Sequence, residues 1–184
     1  GAPSYEAVAA AGGPISDDKL GFRVSASFRR EGGWVDRVNY TRAADDFLAP
    51  PTYAGTTDRD ANWQQTETFR LALKWQVSDA VSIMPSIYYQ RLHINDTSTY
   101  WQALSDPQAG VYRNGNALTD PSTDPFYLAA IKLDWDLGAA NLTSNTAYFS
   151  RSQHSVSDYT QFNRALYSLL GYLQNEYPQA GDGG

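Results

Sequence analysis

One pattern occurs twice in this chain, about sixty residues apart, and it leaves little freedom of fold. In the first copy Phe69, Leu71, Leu73, Trp75 and Val77 take every second place, with Arg70, Ala72, Lys74 and Gln76 between them. In the second, Ala129, Ile131, Leu133, Trp135 and Leu137 do the same, separated by Ala130, Lys132, Asp134 and Asp136. Side chains of a strand alternate between faces, so each copy predicts a strand with one oily and one wet face. Each run meets a Ser/Asp or Gly/Ala turn, and a second extended segment follows. A tryptophan sits two residues before the turn in both copies. An interfacial aromatic beside a tight turn, with charge on the opposite face, is the pattern of a transmembrane β-barrel strand.

Composition narrows the alternatives. With 14 Lys+Arg against 20 Asp+Glu, the net charge of −6 argues against a nucleic-acid partner, which calls for a basic surface. There is no cysteine, so neither a disulfide framework nor a thiolate metal site is available. No run approaches the length of about 18 apolar residues that a transmembrane helix needs, which leaves strands as the only way across a bilayer. Aromatic residues make up 14% of the chain, which suits aromatic girdles and equally a carbohydrate-binding β-domain. The start at Gly1-Ala2-Pro3 and the stop at Gly183-Gly184 read as those of an excerpt from a longer protein.

Along the chain, Ser4 to Ile15 reads as a weak Ala/Gly-rich strand, and Asp17-Asp18 turn into a strongly alternating one at Leu20, Phe22, Val24, Ala26 and Phe28. Tyr40 to Asp60 reads as a long polar loop. Trp63 to Val77 and a partner from Val81 form a hairpin about Ser78-Asp79-Ala80, with a bulge or local distortion expected at Pro85. Asn95 to Asp124 is a second long loop, full of Asp-Pro and Asn-Gly signals. Tyr127 to Leu137 and Leu142 to about Arg151 make the last hairpin. The oily face of its returning strand stays open between Leu142, Ser144, Thr146, Tyr148 and the alternate Ala147, Phe149. Beyond Asp158 the spacing of Phe162, Leu166, Leu169, Leu170 and Leu173 predicts a short helix in a third long loop, limited by Gly171 and Pro178. Short turns therefore alternate with long loops. Outer-membrane barrels show this alternation systematically, so the expected fold is all-β: an antiparallel up-and-down set of about six transmembrane strands from a larger barrel.

The stretches Gly12 to Val38 (GGPISDDKLGFRVSASFRREGGWVDRV), Ala61 to Trp101 (ANWQQTETFRLALKWQVSDAVSIMPSIYYQRLHINDTSTYW) and Ala130 to Thr160 (AIKLDWDLGAANLTSNTAYFSRSQHSVSDYT) resemble, in the same order, the barrel of TonB-dependent outer-membrane receptors. The resemblance implies a barrel of about 22 strands around a folded plug, of which residues 1–184 are one incomplete part. It implies active uptake of a scarce ligand, such as a siderophore-bound iron, cobalamin or an oligosaccharide. Its implied partners are outer-membrane lipid, the small-molecule ligand and TonB of the inner-membrane energising complex, the last through parts outside this chain. No cofactor and no enzymatic activity are implied. The plug and the TonB box have no counterpart in these residues.

For the site, Tyr40, Tyr53, Tyr100, Trp101, Tyr112 and Arg113 lie on predicted extracellular loops, where stacking and guanidinium contacts suit a sugar ring or an anionic chelate. The bland alternative is loop aromatics packing on one another. Trp75, Trp135 and Tyr89 read as interfacial belts rather than core. Arg23, Arg29, Arg70, Lys74 and Lys132 share the opposite face, lining a lumen or merely the wet side of a sheet. Asp58 with Asp60, or Asp45 with Asp46, offer hard oxygens, but without a calcium-loop pattern they read as solvated acids. His93 and His154 have no metalloprotease spacing, and no nucleophile elbow occurs. Two rivals remain on sequence grounds: a plugless porin, and a secreted carbohydrate-binding β-sandwich.

Overall fold

A computed structural model of the chain describes residues 1–42 and 49–176. Its main body is one antiparallel sheet built from β1 (Tyr5–Ser16), β2 (Leu20–Glu31), β5 (Gln64–Ser78), β6 (Val81–Ile94), β8 (Ser122–Asp136) and β9 (Asn141–Arg151), in that spatial order. The two-residue β10 (His154–Ser155) also pairs with the loop-ward start of β8. The expected all-β class holds, and the sheet is open, with β1 and β9 as its long edges.

The register decides which residues share a face, because directly opposed residues of paired strands point the same way. Val24 opposes Leu71, which opposes Ile87, which opposes Ala129, which opposes Tyr148. Likewise Leu20, Trp75, Ile83, Leu133 and Ser144 form one row. On the other face lie Arg23, Arg70, Lys74 and Lys132, with Arg23 opposite Ala72 and Arg70 opposite Tyr88. The returning strand is thereby assigned: Leu142, Ser144, Thr146 and Tyr148 join the oily face, Ala147 and Phe149 the wet one.

The turns at residues 17–19, 79–80 and 137–140 lie at one end. They are stitched together by the Gln76 N–H donating to the Lys19 carbonyl (2.7 Å) and the Asp136 N–H to the Ala80 carbonyl (2.8 Å). At the last of them Gly138 takes φ 82, the left-handed region where only glycine escapes the Cβ penalty.

Several expectations need correction. Tyr40 to Asp60 is not simply a polar loop. It takes in the end of β3 (Asp36–Thr41) and all of β4 (Thr52–Asp58), which with β7 (Arg113–Asn114) form a second, three-stranded sheet. These strands are too short and polar to show a period, and β3 pairs with β7 in parallel across a long loop, a contact no local pattern reveals. Strand β8 starts at Ser122 rather than Tyr127, so Asp124-Pro125 is strand and not turn. At Pro85 the expected bulge is absent but the local distortion is present: β5 and β6 keep one register on both sides of it, the ladder lapses between the pairs Ala72–Ser86 and Trp75–Ile83, and the register shift falls at Gln76/Ser78 beside the turn. Helix α1 (Thr160–Glu176) runs straight through Gly171. One glycine costs a helix about 1 kcal/mol, too little to end it; Pro178 lies outside the described residues.

The buried core is not behind the oily face. Among the described residues the buried apolar side chains are Val35, Val38, Ala61 and Leu104, all at the loop end. Mid-sheet, Ile131 is 55% and Tyr148 70% exposed. An ordinary soluble sandwich would cover such a face with a second sheet. Here the second sheet sits in the loops instead.

Candidate functional site

The loops join into a cap whose interior is held by side chains bonding to backbone. Gly33 is the tightest point, where a Cβ would sit 1.8 Å from the Asp60 carbonyl oxygen, so this crossing accepts only glycine. The crossing presents the Trp34 and Val35 N–H groups to the Asn62 side-chain oxygen, at 2.7 and 2.8 Å. Asn114, 1% exposed, donates to the Thr99 carbonyl and accepts from the Asn116 N–H. These are buried polar groups with their partners in place, which is what makes their burial tolerable.

An ionic cluster locks the same loops. Arg37, at the start of β3, pairs with the buried Asp96 at 2.6 Å and donates to the Leu118 and Asn116 carbonyls. The second oxygen of Asp96 accepts from the Thr97 and Asp120 N–H groups. Asp120 in turn accepts from the Asp158 N–H at 2.6 Å, and Asp158 accepts from Leu118 N–H and from Thr160 N–H, the first residue of α1. Burial raises the pKa of Asp120 above the ordinary carboxylate value, and the Asp96 and Asp158 charges add to that; the Asp158 N–H and Arg37 oppose it. Burial also pushes Asp158 up, but hydrogen bonds from Thr160, Leu118 and Ala117 outweigh it and leave its pKa lowered.

The six loop residues singled out from sequence do come together. Tyr40 and Trp101 lie 5.1 Å apart by ring centroids, the Arg113 guanidinium sits 4.2 Å over the Tyr53 ring, and Tyr100 and Tyr112 meet edge to face at 5.2 Å. They come together by packing on one another. Arg113 also donates to the Leu104 carbonyl, Trp101 donates through Nε1 to Asn116, and the Tyr40 hydroxyl accepts from Gln161 of α1. Their free edges still form a surface, since Tyr53 and Tyr100 are 43% and 41% exposed. Trp34 completes this cluster at 4.8 Å from Tyr112, and sequence reasoning missed it; its Gly-Gly-Trp context was the available signal. Arg37, Asp96 and Asn62 were missed as well, because their roles depend on loop contacts far apart in sequence.

Other candidates separate. Asp45 and Asp46 lie outside the described residues. Asp60 donates its N–H to Asp36, and among the described residues no cluster of three or more His, Cys, Asp or Glu is placed to hold a metal. His93 Nδ1 lies 2.9 Å from the Thr123 hydroxyl, a pairing within the sheet.

No protein-family model, curated protein or solved structure matches the chain.

Proposed function

We propose that this chain is a wall segment of a TonB-dependent outer-membrane receptor, with its loop cap outside the cell and its three short turns in the periplasm. The observation that carries the reading is the oily face. Between the row Phe69–Tyr89–Tyr127 and the row of Trp75 and Trp135 near the turns, its residues on all six long strands include no Asp, Glu, Lys or Arg. From Tyr127 to Trp135 there are eight residue-to-residue steps, about 26 Å along a strand and about 20 Å once tilted, close to the apolar band of an outer-membrane barrel. No helix among the described residues is long and apolar enough to cross a membrane, which leaves the strands to do so.

Two rows of aromatics bounding a charge-free band favour lipid over water on that face. The opposite face, with Arg23, Arg70, Lys74 and Lys132, suits a polar lumen. The aromatic cap then stands where an incoming ligand first makes contact, and its exposed Tyr and Trp edges and the Arg113 guanidinium suit a ring-bearing or anionic ligand. The energised step, the plug and the ligand classes rest on the sequence resemblance alone.

The test is uptake in cells carrying the full-length gene. Accumulation of ligand that stops when the inner-membrane energising complex is removed supports the receptor. Uptake indifferent to that removal marks a porin, and a protein soluble without detergent ends the membrane reading.

A further inference from the structure

The oily face changes character abruptly at its loop-ward rim. One register step beyond Phe69 and Tyr89, Glu67 opposes Arg91; one step further, Arg30 opposes Gln65, which opposes His93. The Arg30 guanidinium lies 3.9 Å over the Trp63 ring, and that ring lies 5.3 Å from His93. Glu67 accepts a 2.7 Å hydrogen bond from Gln65. Arg91 is exposed, and among the described residues no ion pair engages it or Arg30. Gln65, Glu67, Arg91 and His93 surround a cavity of ≈ 60 Å³. That is room for about two waters or one compact anionic group.

Position and charge select the occupant. The rim points outward, on the same face as the apolar band and directly past its aromatic row, where a bilayer places its headgroups. Two guanidiniums against one carboxylate leave it positive, although the chain as a whole carries −6. The opposite rim is different: there Asp17, Asp18, Asp79 and Asp136, the last at the end of β8, outnumber the one cation of the turns, Lys19. Stacking on Trp63 fixes the plane of Arg30 while leaving N–H groups at its edge, a preorganised donor for phosphate oxygens. We infer that this collar binds the phosphate of a phosphorylated lipid in the outer leaflet, with the lipid's chains lying down the apolar face. The inference rests on the membrane reading above.

The test reconstitutes the full-length protein in phosphatidylcholine alone and in phosphatidylcholine containing phosphatidate, then measures which lipid stays bound on detergent extraction. The parent should retain phosphatidate preferentially. Arg30→Gln and Arg91→Gln should each reduce that preference by roughly five-fold, while Arg91→Lys keeps most of it and the inward Arg23→Gln leaves it unchanged. A parent that folds in phosphatidylcholine yet shows no preference overturns the collar and leaves the membrane reading standing; so does a preference that survives both glutamine variants. Displacement of phosphatidate by millimolar inorganic phosphate would mark a free-anion site and likewise overturn a lipid collar. A parent that folds in neither bilayer and is soluble without detergent removes both readings together.

Discussion

At the scale of single residues the cap depends on Asp96. Its carboxylate is 2% exposed and serves both Arg37 and two loop N–H groups, so removing it strands a guanidinium in a dry site. Asp96→Ala should therefore destabilise the cap by about 3 to 5 kcal/mol, the cost of breaking a buried ion pair from one side. Hydrogen exchange at the Asp120 amide reports it, and exchange at mid-strand β5 amides should hardly change.

Asp120 and Asp158 give the cap a pH dependence of two limbs. Asp120 has a raised pKa in the fold, so its ionisation costs stability: as pH falls towards the ordinary value of 3.8, the folded cap takes up the proton first and gains. Asp158 has a lowered pKa, so its contribution is present above that value and is lost as pH falls further, through its folded pKa. Exchange protection at the Leu118 amide should rise slightly on mild acidification and then fall. Asp120→Asn should abolish the rise and keep the fall. A monotonic profile in the parent would contradict the assignment.

At the scale of elements, the strands were legible and the cap was not. Alternation in β2, β5 and β8 follows from a face that must be uniformly apolar, so every second residue carries the signal and even the register can be anticipated from the turns. Strand β9 was ambiguous because Ser144 and Thr146 dilute its oily face, and only pairing with Leu133 and Ile131 resolves it. β3 and β4 are short and irregularly paired, β7 joins β3 from a distant loop, and buried Asn and Asp hold them, none of which a period encodes. The six aromatic candidates were found by residue type and general location; their mutual packing depended on where those long loops return. Arginine substitutions test the wall. In the intact protein folded in phospholipid vesicles, Leu73→Arg and Leu133→Arg should each cost about 2 to 4 kcal/mol, and Val77→Arg, beside the turn, about 0 to 1. Equal penalties at all three positions would indicate an ordinary protein core, where burial rather than depth sets the cost.

For the whole molecule, the antiparallel register sends every short turn to one end and every long connection to the other. The chain has no cysteine, so single-cysteine variants have no background. In intact cells a membrane-impermeant thiol reagent should label Tyr53→Cys in the cap, whereas Asp79→Cys in the turn should react only after the outer membrane is opened. Labelling of both, or of the turn alone, would reverse or abolish the proposed orientation.

The separation of the dry core from the wall has a consequence in time. Strands held by continuous ladders open only with the sheet, whereas the cap is closed by a handful of side-chain bonds around Asn62, Asp96 and Asn114. Such local units open at a fraction of the global free energy, so the cap should open and reclose many times within one lifetime of the wall beneath it. If the receptor reading proposed above holds, the aromatic surface of the cap is a door with its own clock, timed by how often Arg37 lets go of Asp96.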